Sequence, residues 1–411
     1  MIRGAVSGLV GGLVFGAVMA QIGFLPTVAA IVRTDSVALG FAVHMLFAAI
    51  IGAIFGLLVE RQHTAARELL FWGLVYGALW WFLGPLTLLP ILLGRPVIWD
   101  LTSGQSLTPS FFGHLAYGAV TAAVYAWGQA EPRRIGLATL VRGLAAGLLV
   151  AAVLPRDLLL VSLGVGAGYA LLFGGRSQGT GPELIRGMVY GFAWWIVVAL
   201  TLPPLLAGGR LDWSIEAVRA TLPILPAYLL LGAGTGAVFT WLGDLRRVLF
   251  EDDVRRLRPD MSGISRLRAA GYGAVLGLAG GVIAAFFTGP AAVAEGLVVG
   301  VTYALAFRGR SFDPASGIGW GVSYGFLWWI LEHLQGMATS SQLVAHLLFG
   351  AILGIAYQRL EERTSPWWLT RDQVAVERAA ALREQILSSA PALWTLVLLL
   401  AAVIPTLAQP A

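Results

Sequence analysis

Cysteine and lysine are both absent from this chain of 411 residues. The first absence excludes disulfides, thiolate nucleophiles and thiolate metal ligands, and it leaves the redox compartment unmarked. The second excludes Schiff-base chemistry and makes all 27 basic residues arginine, a bias of GC-rich genomes. Charge is scarce altogether: 12% of residues carry it, where a soluble domain has about 25%. No P-loop, nucleophile elbow or His-Glu-x-x-His signature is read along the chain, and no nucleic-acid surface is expected. An enzymatic role is therefore not the leading expectation.

What is present is apolar. Hydrophobic residues make up 58% of the chain and the mean hydropathy is +0.79, which implies an all-α polytopic membrane protein. Thirteen runs approach the ~20 residues that a bilayer crossing needs. They fall near 4–22, 37–59, 69–94, 109–129, 137–155, 157–175, 184–208, 222–242, 269–287, 290–307, 315–336, 340–358 and 387–408. With the N-terminus inside, this count puts 22 of the 27 arginines on one face; only Arg33, Arg95, Arg156, Arg210 and Arg219 reach the other. Positive charge is retained in cytoplasmic loops, so the expected topology is N-terminus cytoplasmic, C-terminus outside, in a cell (inner) membrane. The pI near 9.8 reflects those arginines and favours anionic lipid at the cytoplasmic face.

The chain repeats itself. Gly73-x-x-Tyr76-Gly77-x-x-Trp80-Trp81 returns as Gly187-x-x-Tyr190-Gly191-x-x-Trp194-Trp195 and as Gly321-x-x-Tyr324-Gly325-x-x-Trp328-Trp329. The runs then group in fours: unit one over 1–130, unit two over 136–243, unit three over 266–360. An even number of crossings gives parallel repeats, related by an axis along the membrane normal. A mixed-charge cytoplasmic loop occupies 244–265. Thr370-x-x-Gln373 opens an expected interfacial amphipathic helix over 365–385. The run 387–408 is an extra span. The first run is read as part of the fold rather than a signal peptide, because its glycine ladder recurs.

Each unit opens on such a ladder, with Gly12, Gly147 and Gly277 among its members. Glycines four apart share one helix face and let a neighbouring backbone come close, which matters where lipid offers helices no hydrophobic reason to associate. Gly77, Gly191 and Gly325 are expected to pack helices in the same way.

Ionisable groups inside a bilayer are functional candidates by default. His44, His114, Glu295, Glu332, His333 and His346 fall in the outer third of their runs, and the Trp pairs reach the same layer, roughly 18–20 Å from the cytoplasmic end. Tyr76, Tyr190, Tyr324, Trp80, Trp81, Trp194, Trp195, Trp328 and Trp329 would line a shared site there. Alternatives stay open: an interfacial aromatic belt, histidines bonded to nearby carbonyls, and Glu332 with His333 reaching outer water. No cofactor is expected; haem or another pigment is a minor alternative. No metal site shows convincing ligand spacing.

The run Pro90…Gly94-Arg95-Pro96…Trp99, followed by Phe112-Gly113-His114-Leu115, resembles the second half of the YagU-like family of small bacterial inner-membrane proteins. The resemblance covers about one hairpin per unit, with Tyr228 replacing the histidine in unit two. It implies a bacterial inner-membrane protein and supplies no catalytic residue. Two functions follow as expectations. One is a permease-like transporter with a small-solute or proton-coupled site in the outer third of the bilayer. The other is a non-catalytic scaffold or accessory subunit that meets a membrane-protein partner through its C-terminal helix. A membrane enzyme acting on lipid is a third class.

Overall fold

The computed structural model describes residues 1–59, 65–127, 135–174, 179–250, 266–310, 314–337, 339, 342–364, 367, 370 and 372. Among these every regular element is helical. The expected thirteenth span lies outside the described residues. So do most of the charged loop and, bar three isolated residues, the expected surface helix.

Twelve helices of at least 15 residues carry the described chain. They are α1 (Ile2–Gln21), α2 (Val37–Val59), α3 (Ala66–Leu83), α4 (Thr108–Ala126), α5 (Leu137–Ala151), α6 (Leu159–Phe173), α7 (Thr180–Trp194), α8 (Leu225–Phe250), α9 (Arg266–Thr288), α10 (Ala291–Phe307), α11 (Pro314–Leu334) and α12 (Leu343–Thr364). Eight helical stretches are long and apolar enough to cross a membrane: Ile2–Gln21, Val37–Val59, Ala66–Leu92, Arg156–Phe173, Thr180–Leu206, Glu216–Arg246, Arg266–Phe286 and Leu343–Thr364. Leu137–Ala151 and Ala291–Phe307 are apolar but shorter. Leu13, Val275, Ile283, Leu348 and Ile352 are exposed on these helices, which suits a hydrocarbon surrounding. The chain thus has the character of a multi-pass helical membrane protein.

Two compact units form. Among the described residues, one comprises those within 1–134 together with Arg210–Ala220; the other comprises those within 135–209 and 221–372. In the first, α1 packs on α2 and α4, and α3 packs on α4. Trp213, from the 210–220 segment, stacks on Phe112 with ring centroids 5.3 Å apart. In the second unit the same pairing occurs twice: α5 on α6 and α8 with α7 on α8, and α9 on α10 and α12 with α11 on α12.

Glycine makes these pairings close. A methyl group at Gly77 would strike the backbone carbonyl of His114; at Gly191 it would strike that of Tyr228, and at Gly325 that of His346. Gly12 abuts the Ala48 side chain, Gly147 the Ser162 carbonyl and Gly277 the Gly296 carbonyl. Contact at this range forfeits no side-chain entropy and gains dispersion along the whole seam.

Each quartet also buries three aromatic rings against one another. Phe55 lies 5.2 Å from Tyr76 and 6.0 Å from Tyr125. Tyr169 lies 5.6 Å from both Tyr190 and Phe239. Tyr303 lies 5.6 Å from Tyr324 and 5.8 Å from Tyr357. Five of these six pairs are edge-to-face, favoured by the ring quadrupoles, and Phe55–Tyr76 is tilted.

Helices α3 and α7 do not end simply. Each runs on through a π-helical stretch, Gly84–Leu88 or Trp195–Thr201, into a short helix, Leu89–Leu92 or Leu202–Leu206. Pro85, Pro90, Pro203 and Pro204 lack the N–H that an α-turn requires. Thr87 and Thr201 substitute for part of the loss: their hydroxyls donate to the carbonyls five residues back, Phe82 at 2.8 Å and Ile196 at 2.7 Å. Gly94 then stops the first of these segments at φ +70°, and Gly336 stops α11 at the same angle, a region open to glycine. Beyond Gly94, Asp100 caps the short helix Leu101–Ser106 by accepting from Ser103 N at 2.8 Å and Ser103 Oγ at 2.7 Å. Those two bonds hold its carboxyl below the usual carboxylate range.

Candidate functional site

The recurring Tyr-Gly-x-x-Trp-Trp stretch does similar work in each copy. Tyr76 donates to the Ile51 carbonyl at 2.7 Å, and Tyr190 donates to Val165 at 3.0 Å, each 25 residues back. Tyr324 instead pairs with the Thr302 hydroxyl at 2.6 Å. The second Trp of each pair donates its indole N–H to a backbone carbonyl just ahead of the following helix: Trp81 to Leu107, Trp195 to Thr221 and Trp329 to Thr339, all at 3.0–3.1 Å. These side chains fasten helices together. The first Trp differs: Trp194 packs its ring edge on Gly164, while Trp80 and Trp328 bury indole N–H groups that make no hydrogen bond of normal geometry.

Two places gather the remaining candidates. The first is a cavity of about 130 Å³ within the first unit. Its lining is mostly carbon, from Phe15, Met19, Phe47, Ile51, Trp80 and Leu88 among others, and it includes His44 and His114. Both histidines are buried, and Phe15 stands between them, 5.4 Å from one ring and 4.4 Å from the other. Their tautomers follow from their partners. His44 Nε2 faces the Gly12 carbonyl at 2.9 Å and His114 Nδ1 faces the Ser110 carbonyl at 2.8 Å, so each of those nitrogens carries hydrogen. In a neutral ring the other nitrogen is then an acceptor. For His114 that acceptor, Nε2, points to Gly84, where a Cβ would lie 3.6 Å away.

The second place is in the other unit. Glu295 on α10, Glu332 on α11 and His346 on α12 bring one ligand atom each within 4.8 Å of one another. His346 Nδ1 donates to the Gln342 carbonyl at 2.9 Å, and its Nε2 lies 2.9 Å from Glu332 Oε2. His333, next to Glu332 in sequence, stacks on Trp329 instead, with ring centroids 4.9 Å apart. Adjacent residues on a helix point about 100° apart, which separates the two.

The sequence reading passed over a buried charge pair. Glu183 and Arg186 are 2% and 3% exposed, joined at 3.0 Å, and the Tyr169 hydroxyl also donates to Glu183. The signal was an acid and a base three apart at the start of an apolar helix, a spacing that puts them on one face. Against the expectation that the nucleophile-elbow spelling is absent, it occurs twice; Gly175-Arg176-Ser177-Gln178-Gly179 lies mostly outside the described residues. Gly321-Val322-Ser323-Tyr324-Gly325 spells Gly-x-Ser-x-Gly, but Ser323 is 1% exposed in the middle of α11. A nucleophile elbow needs a strand-to-helix turn that presents the hydroxyl, so this serine is a packing residue.

Comparison with family models, curated proteins and solved structures gives no match to the chain.

Proposed function

We propose that this protein is a permease-like membrane transporter whose first unit binds a small, largely apolar solute bearing a single hydrogen-bond donor. The cavity carries the reading. Apolar voids of about 150 Å³ stay dry and admit a benzene-sized guest, and the space here is about 130 Å³. The lone pairs of His44 and His114 are the recognition groups, each ring already fixed by its own carbonyl. Trp80 supplies a flat wall. In this reading the chain crosses a bacterial inner membrane thirteen times, as three parallel quartets and one further helix. The matching packing of the quartets and the recurring motif contacts support that layout. The scaffold alternative requires a filled interior.

Binding tests the reading directly. Protein in lipid nanodiscs is titrated with 4-fluorophenol and observed by fluorine NMR. A bound resonance is expected for the wild type and none for Ile51→Trp, which fills the cavity. Small hydroxylated solutes should also leave proteoliposomes faster with the wild type than with that variant. Equal behaviour of the two proteins in both assays would sink the proposal.

A further inference from the structure

We propose that Glu295, Glu332 and His346 form a binding site for a divalent first-row transition metal ion, independently of the transport reading. Three features of the second unit lead there.

The first is proton bookkeeping. Both nitrogens of His346 face oxygen, the Gln342 carbonyl at Nδ1 and the Glu332 carboxylate at Nε2, each at 2.9 Å. A neutral imidazole has one N–H, and the carbonyl takes it. The Nε2–Oε2 contact therefore needs one more positive centre between two lone pairs, either a proton or a metal ion. A metal-ligating histidine characteristically donates its other N–H to a carbonyl, which fixes the ring's direction. His346 is held that way.

The second is unmet capacity. Glu332 Oε1 is buried with no hydrogen-bond partner. Glu295 places a second carboxylate within reach of it and of the imidazole. Two carboxylates and an imidazole from three different helices are donors of the kind a divalent ion takes, and they converge on one point. Carboxylate and imidazole together suit Zn²⁺, Mn²⁺, Fe²⁺ or Co²⁺, and three protein ligands leave a position open. Ligand bonds of about 2.0–2.2 Å ask for neighbouring donors about 3.3 Å apart. The 2.9 Å pair must open slightly and Glu295 must close in. The ion displaces the shared proton, which passes to water.

The third is position. Counted from the Tyr of each motif copy, Glu295 and Glu332 correspond to Phe47 and Gly84, which line the apolar cavity beside His114. In the middle copy the same count gives Val161 and Val198, and Tyr228 stands against Gly191 as His114 does against Gly77 and His346 against Gly325. A side chain at Gly84 would meet His114 Nε2; at Glu332 a carboxylate does meet His346 Nε2. The third copy has thus put three metal-type donors where the first has Phe47, Gly84 and His114.

The full chain, purified in detergent and stripped with chelator, is titrated with Co²⁺. The wild type should bind one equivalent and develop visible ligand-field absorption. Glu332→Gln and Glu295→Gln should each weaken binding at least tenfold and abolish the band. If Glu332→Gln does not fold, Glu295→Gln decides alone, because Glu295 is exposed and its loss leaves packing intact. Absence of Co²⁺ binding by the wild type would mean that the cluster holds only a proton, and would overturn the proposal. Unchanged affinity in the folded Gln variants would overturn it as well.

Discussion

The indole N–H of Trp81 donates to the carbonyl of Leu107, 26 residues further along, at 3.1 Å. Trp195 repeats this with Thr221 at the same separation in sequence. In both cases the bond spans from the end of one long helix to the approach of the next.

Replacing Trp81, Trp195 or Trp329 with Phe keeps an aromatic ring but removes the donor. Each variant should lose about 1–3 kcal/mol, from the missing hydrogen bond and the space left by the smaller ring. Lower thermal transitions in detergent, followed by size-exclusion chromatography, would register the loss. Transitions that stay at the wild-type value in all three would remove the fastening role.

Leu at Gly77, Gly191 or Gly325 should prevent folding, since even a Cβ there collides with a backbone carbonyl that cannot rotate away. Gly271→Ala is the contrast: nothing lies within 4 Å of its Cβ position. It should be tolerated and should gain up to about 1 kcal/mol from helix propensity. Yield of monodisperse protein measures both. Normal yield for the three Leu variants would refute close packing at these seams.

Arg186→Leu leaves the buried Glu183 carboxylate without its guanidinium. The expected cost is about 3–5 kcal/mol, and adding Glu183→Gln should recover most of it, because an uncompensated buried charge costs more than a missing ion pair. Denaturation midpoints of the single and double variants make the comparison. Equal loss in both would show that the pair contributes packing alone.

Composition and long apolar runs made the helical, membrane-type character legible without coordinates. The seams were half legible. Spacing of four marks Gly77 or Gly325 as small positions on one face, but nothing in the sequence names the opposing carbonyl. The runs 69–94 and 184–208 read as single crossings because hydropathy does not register the N–H groups that proline lacks; the π-helical turns near Pro85 and before Pro203 were therefore hidden. Glu332 and His346 are 14 residues apart on different helices. Their meeting is a tertiary event that local spacing does not encode. Arg186 was counted with the arginines of one face from its place near a helix start; its burial against Glu183 is a tertiary contact that this count does not address.

The bonds made by the recurring motif join indole, phenol or hydroxyl to a carbonyl or to another hydroxyl. None of these groups gains or loses a proton near neutrality, and none carries a charge for salt to screen. The fasteners should therefore hold alike on either side of neutrality and in brine. Sensitivity to the surroundings is left to the few spots where opposite charges or shared protons meet, chief among them Glu183 with Arg186 and Glu332 with His346. A frame whose motif bonds ignore salt and near-neutral proton exchange confines such sensitivity to a few side-chain pairs.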